Sequence, residues 1–207
     1  MHEYSIVGHR RVTIAMYVAF ISGAAASSLT FLAVLLIKTF TKLEWIGDTD
    51  FIVWPITGGV LFGILFWLFD QSVWKYKFLQ KVVGIPRLAG DWDVEGQSFD
   101  EKEQPTFSWS GTISITQRYE KLIVKLKTET SNSNSISAAL VPEGDVFRLI
   151  YSYRNEPRPG EPELKSHLGH CELTFDRDVL SADGAYFNGF GRGTHGTMHL
   201  RRKEQKP

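Results

Sequence analysis

Five side chains in the C-terminal part of the chain, His167, His170, Cys171, His195 and His199, are of the types that ligate metals or activate nucleophiles. Their spacing argues against both uses. In a strand, residues three apart point to opposite faces, so His167 and His170 cannot readily share an ion, and only His195 and His199 can share a face. Cys171 has Gly169, Leu173 and Phe175 at alternate positions and reads as a small core residue. Gly189-x-Gly191-x-Gly193 lacks the following helix that a dinucleotide-binding turn requires, and no Gly-Lys-Ser/Thr phosphate loop occurs. Asp100, Glu101 and Glu103 beside Pro105 read as solvated loop charge. The residues nominate no catalytic group and no metal site, so the chain is read as a binder and not an enzyme.

These residues sit on a succession of short strands, near 90–97, 108–118, 122–130, 135–141, 146–153, 167–175, 179–186 and 192–202. Turn signals separate them, among them Pro142-Glu-Gly-Asp, Asp176-Arg-Asp178 and the proline-rich stretch from Asn155 to Pro162. Eight strands at this spacing predict a barrel or a sandwich. Alternation assigns Leu122, Val124 and Leu126 to the core, with Lys125 and Lys127 in water. It likewise sets Phe147, Leu149, Tyr151 and Tyr153 on one face, and Trp109, Gly111, Ile113 and Ile115 on another. The Ser/Thr row opposite Trp109, which includes Thr112, lines a polar cavity or faces solvent. From Pro86 onward there are sixteen Lys/Arg and eighteen Asp/Glu, a slightly acidic balance unlike that of a DNA or RNA polymer binder. Any anionic ligand is therefore small and held by a few local charges.

The first part of the chain is of a different kind. Residues 12–37 and 51–69 contain no Asp, Glu, Lys or Arg in a chain that is 22% charged. As helices they extend roughly 39 Å and 28 Å, enough for a hydrocarbon core about 30 Å thick. The first run, twenty-six residues long, exceeds a signal-peptide apolar region, and Arg10-Arg11 are read as flanking charge and not a twin-arginine signal. Arg10, Arg11, Lys75, Lys77, Lys81 and Arg87 outnumber Lys38 and Lys42 between the runs, so both termini are expected to face the cytoplasm. The expected division is a transmembrane hairpin with a basic linker over 1–85 and a cytoplasmic β-domain over 86–207. A block of small residues from Ser22 to Ser28 and a Gly59-x-x-x-Gly63 motif suit close helix packing, within one chain or between chains. The spans hold no ionisable residue, which argues against a transporter or proton relay. A lone cysteine, Cys171, excludes an intramolecular disulfide framework and fits a reducing compartment.

Gly90-Asp91-Trp92 opens the first strand of the β-domain, and a G-x-W at that place is similar to the start of lipocalin-like barrels. Two spans, a short basic linker, Ile85-Pro86-Arg87-Leu88-Ala89-Gly90-Asp91-Trp92 and a strand-rich domain ending in Phe190-Gly191-Arg192-Gly193-Thr194 together resemble a known family over nearly the whole chain. It is that of the SMODS-associated two-transmembrane, β-strand-rich effectors of bacterial CBASS anti-phage systems. The resemblance implies a multi-pass inner-membrane protein whose small antiparallel eight-stranded barrel binds a cyclic dinucleotide made by a CD-NTase, the partner nucleotidyltransferase. It further implies homo-oligomerisation through the membrane helices, membrane disruption and abortive infection, with no cofactor.

For such a ligand, arginine forks suit the phosphates and aromatic rings stack the bases at about 1–3 kcal/mol each. Arg192, between two glycines, is the leading phosphate candidate; its alternative role is to close the barrel end over Trp92. Tyr151, Tyr153 and Trp109 are the stacking candidates, with core packing as the alternative, and Thr112 and Thr194 are candidate hydroxyl contacts. A competing function is a membrane-tethered lipocalin-like carrier of a lipid or apolar molecule, which would need an almost wholly apolar lumen. A third is a structural anchor with no cavity.

Overall fold

The computed structural model describes residues 1–41, 54–158, 166–189 and 193–204. The chain divides into two compact units, Arg10–Val83 and a second made of Met1–His9 with Gly84–Pro207. The first nine residues thus belong with the β-rich unit, which corrects the expected start of the membrane module.

In the membrane unit, α1 (Arg11–Thr41) is followed by α2 (Trp54–Gln71), a 3-10 turn at Val73–Lys75 and the short α3 (Lys77–Val83). Arg11–Ala33 is apolar and long enough to cross a bilayer, and Gly58–Gln71 is a shorter apolar helix. Residues 51–53 of the expected second span lie outside the described residues. α1 packs on α2 and buries Val18, Ser22 and Ala26, which recur every four residues and form one stripe. The Ser22 hydroxyl donates to the Val18 carbonyl at 2.6 Å, so its polarity is spent inside its own helix.

The β-rich unit begins with β1 (His2–Ile6) and continues after the membrane unit with β2 (Gly90–Phe99), β3 (Pro105–Gln117), β4 (Lys121–Thr128) and β5 (Ser131–Glu143). It ends with β6 (Val146–Pro157), β7 (His167–Phe175), β8 (Ser181–Asn188) and β9 (His195–Arg202). From β2 to β9 each strand runs antiparallel to the next, and β9 returns to pair with β2, so the sheet closes on itself. The join between β4 and β5 is incomplete, because only Lys125–Lys127 pair with Asn132–Asn134. β1 fills the gap, antiparallel to β4 at His2 and Glu3 and parallel to β5 from Tyr4 to Ile6. Closure and the inserted strand leave few unpaired backbone groups along the wall.

The inward rows follow the alternation of the sequence: Ile113, Ile115, Leu122, Val124, Leu149, Tyr151 and Tyr153 are all buried. One end is filled by apolar side chains. Trp92 and Phe175, both 0% exposed, meet edge to face with centroids 5.2 Å apart. Truncating either would cost about 3–5 kcal/mol, the usual range for a buried aromatic. The Arg202 guanidinium caps this end, 4.8 Å above the Trp92 ring, and donates to the Arg87 and Ala89 carbonyls at 2.9 and 2.8 Å. Gly90 has φ +142, a left-handed-side conformation that L side chains rarely adopt, and it lies under Arg202. The G-x-W signal is thereby explained: the glycine shapes the entry and the tryptophan plugs the end. Towards the other end the interior turns polar, with buried Ser133, Ser135, Asn155 and His167.

Candidate functional site

At that polar end the β-rich unit has a half-open cavity of about 930 Å³, within the range of small-molecule sites. With β1 in the wall the closed sheet has nine strands where eight were expected, and it is filled by its own side chains at one end while leaving room for one small ligand at the other. Trp109, Tyr151, Tyr153 and Tyr186 contribute rings to the lining, and Ser133, Asn155, Asn188 and Thr194 contribute polar groups.

Glycines position three of the four rings. Gly96 pairs directly with Trp109, Gly169 with Tyr153, and Gly196 with Tyr186. A Cβ on these glycines would fall 2.3 Å from Trp109 Cε2, 2.3 Å from Tyr153 Cζ and 2.6 Å from Tyr186 Cζ. Each ring therefore lies across the bare backbone of the neighbouring strand, which holds it close to the wall and leaves the lumen open. Hydrogen bonds fix the rings further. The Trp109 indole N–H donates to the Tyr186 hydroxyl at 3.0 Å, and that hydroxyl is 2.8 Å from Ser98 Oγ. The Tyr153 hydroxyl donates to Asn188 Oδ1 at 2.8 Å, Asn188 Nδ2 donates to Thr194 Oγ1 at 2.8 Å, and the Ser133 hydroxyl donates to Asn155 Oδ1 at 2.8 Å. The rings are thus held before any ligand arrives.

Tyr151 lies deeper, its ring centroid 6.1 Å from that of Tyr153. Burial, with the Cys171 thiol beside it, pushes its phenol well above the usual range, so it stays a neutral hydroxyl. Burial likewise pushes the Cys171 thiol from 9.0 up to about 12. A thiol so poised is no nucleophile at neutral pH.

Of the six residues nominated from sequence, Trp109, Tyr151, Tyr153 and Thr194 come together on this lining. Thr112 does not. It lies on the outer side of β3, where its hydroxyl oxygen accepts from Lys203 Nζ at 3.1 Å, because it is one residue out of phase with Trp109 and Ile113. Ser114 shares that phase and also faces outward, bonded to Asp91 at 2.6 Å. Arg192 lies outside the described residues. The alternative role considered for it, closing the barrel end over Trp92, is filled by Arg202. Asn188 and Thr194, the described lining residues on either side of it in sequence, are joined by a backbone hydrogen bond of 2.8 Å as well as the side-chain one.

Sequence reasoning missed Tyr186, Asn188, Asn155, Ser133 and His167 as lining residues. For His167 the signal was present, since it shares a face with Gly169 and Cys171 in the strict alternation of β7. For Tyr186 the signal is the glycine opposite it, and that requires the strand pairing. Arg158 was also passed over. Its Nη2 donates to the Thr128 carbonyl at 2.7 Å and its backbone N–H to the Thr130 carbonyl at 2.9 Å, and both threonines line the cavity. Among the described lining residues there is no Lys or Arg, and Glu129 is the one acid. The other histidines have separate surroundings: His195 stacks on Phe99 with centroids 5.8 Å apart, and His199 Nδ1 lies 2.7 Å from Asp183 Oδ1.

Comparison with known proteins covers both units. Residues 83–202 match the family model described as the Cap15 cyclic dinucleotide receptor domain, and residues 12–75 match the model of the Cap15 TM helices. A curated relative, CD-NTase-associated protein 15 of Yersinia aleksiciae, is 36% identical over 213 residues, covering 98% of each chain. Among solved structures, Rv2717c from M. tuberculosis covers 62% of this chain and 98% of its own at 12% identity and TM-score 0.38, a likeness too low to carry argument. With the cavity-bearing β-rich unit matched to the receptor model, the helices to the membrane model and a curated relative aligned nearly end to end, the chain belongs to the Cap15 family.

Proposed function

We propose that this chain is a membrane-anchored effector of anti-phage defence, and that its cavity takes a cyclic dinucleotide made by a CD-NTase as the activating ligand. The observation that carries the reading is the cavity lining: preset aromatic faces among hydroxyl and amide groups, the combination that bases and riboses require. Trp109 and Tyr153 stack bases, with Tyr151 below and Tyr186 beside them. Thr194 and Asn188 meet sugar or base edges. Phosphate is taken by Arg192, which lies between Asn188 and Thr194 in sequence, and by Arg158, already tied to two lining residues.

β1 supports the topology. It pairs with β4 and β5, so the chain before α1 and the chain after α3 lie on one side of the membrane, and α1 and α2 together cross an even number of times. With basic residues at Arg10, Arg11, Lys75, Lys77 and Lys81, that side is the cytoplasm, and the protein sits as a two-span hairpin in the bacterial inner membrane. Homo-oligomerisation on activation uses the α2 face that carries Gly59 and Gly63. Both are exposed in the single chain, and a Cβ added to either meets no described atom within 4 Å. Assembly there disrupts the bilayer and brings about abortive infection.

One observation favours the alternative, a tethered carrier of a lipid or apolar molecule: the described lining holds no Lys or Arg. The two readings separate in a leakage assay on liposomes containing the full chain. Addition of a cognate cyclic dinucleotide releases entrapped dye, and the Tyr153→Ala and Arg192→Ala variants respond at least about tenfold more weakly. Extraction of a bound lipid with the chain, and no dye release with any cyclic dinucleotide, would establish the carrier instead.

A further inference from the structure

Two chain segments leave the β-rich unit for the membrane helices, and one buried amide binds both. Gln117, the last residue of β3 and 2% exposed, accepts the Leu88 N–H on Oε1 at 2.8 Å. Its Nε2 donates to the Pro86 carbonyl at 3.2 Å and to the Tyr4 hydroxyl at 3.3 Å. Tyr4 is the buried centre of β1, which reaches α1 at Arg11 through Val7–Arg10, while Pro86 and Leu88 follow α3. The same region touches the cavity wall. Gln117 pairs with Leu122, and Val124, two residues along β4, lines the cavity. The Val124 N–H donates to Ser135 Oγ at 2.9 Å, and that oxygen is also 2.7 Å from His2 Nε2 of β1.

We infer that Gln117 is a positioning residue through which occupancy of the cavity reaches both membrane-bound segments together. The inference rests on the ligand reading above. Releasing either segment from this amide leaves a buried polar group unsatisfied, so the segments favour being seated together or released together. A junction with two such arrangements can carry coupling between sites, whereas one flexible tether cannot.

The test uses the full chain in lipid, with Gln117→Leu and, as a gentler change, Tyr4→Phe, which removes one hydroxyl. Hydrogen exchange without ligand is the first readout. In Gln117→Leu, peptides covering residues 2–9 and 84–90 should both exchange at least about tenfold faster while the β7 peptides keep the wild-type rate. Faster exchange in only one of the two segments, or in neither, overturns the joint tie whatever the ligand proves to be. The second readout is functional: both variants should bind cyclic dinucleotide within about threefold of wild type yet need at least about tenfold more of it to release dye. Unchanged dye release in both overturns the inference and leaves the ligand reading standing, whereas loss of nucleotide binding by the wild type would remove the ligand reading, with the exchange result still deciding the tie. Should Gln117→Leu fail to fold, Tyr4→Phe carries both readouts, with acceleration centred on residues 2–9 and weakened dye release expected; absence of both overturns the inference.

Discussion

Three cross-strand glycines decide what the cavity can hold. Gly169 gives Tyr153 its place, and a methyl group there would stand 2.3 Å from Cζ and 2.4 Å from the hydroxyl oxygen. Gly169→Ala therefore lifts the ring off the wall into the lumen. The expected outcome is at least a tenfold loss of cyclic dinucleotide affinity by titration, with the β-sheet circular dichroism signal kept. Gly184 is the control: the three atoms nearest its added Cβ are Leu173 Cδ2 at 2.4 Å, the Glu172 carbonyl oxygen at 2.7 Å and Met198 Cγ at 3.3 Å, none of them on a ring. Gly184→Ala should lower the melting temperature and leave the affinity of the folded protein within about threefold. Cys171 offers a pH test. Burial pushes its native thiol from 9.0 up to about 12, so the folded state holds the proton more tightly. This contribution to stability is complete below pH 9 and is lost as pH rises from 9 towards 12. Maleimide labelling at pH 8 should be negligible in the folded chain and fast in denaturant; fast labelling of the native protein would contradict the burial.

The strands were legible because most of them alternate, and β7, buried at every second residue from His167 to Phe175, is the clearest case. β1 was not. His2–Ile6 is five residues long and abuts a long apolar helix, and its reason for being a strand is a gap between β4 and β5 that no local pattern announces. The arginine over Trp92 illustrates the same limit. Arg192 and Arg202 both end near the last strand in sequence, and only the register, which pairs Trp92 with Arg202, tells them apart. In the helices the small residues had two readings, and exposure separates them into two sets. Ser22 and Ala26 are buried within the chain, whereas Gly59 and Gly63 are exposed on α2. Gly59→Leu with Gly63→Leu should therefore leave nucleotide affinity unchanged and reduce ligand-dependent crosslinking of copies in the membrane severalfold. Unreduced crosslinking would place assembly elsewhere.

At the scale of the whole molecule, the organisation is a ligand-binding unit closed by both the beginning and the end of the chain, with the membrane helices inserted between them. This arrangement requires residue 5 and residue 204 to share one side of the membrane. A single cysteine placed at Ser5 or at Glu204, in a Cys171→Ala background, should react with an impermeant thiol reagent from the same face of oriented vesicles; labelling from opposite faces would break the β1 pairing. The aromatic-walled cavity of this unit is the proposed cyclic dinucleotide site. Calorimetric titration of the full chain in detergent micelles with a panel of cyclic dinucleotides, repeated for Trp109→Ala, tests it most directly. Micromolar or tighter binding of at least one nucleotide is expected, weakened about tenfold or more in the variant. No heat with any member of the panel, or binding indifferent to Trp109, would contradict it.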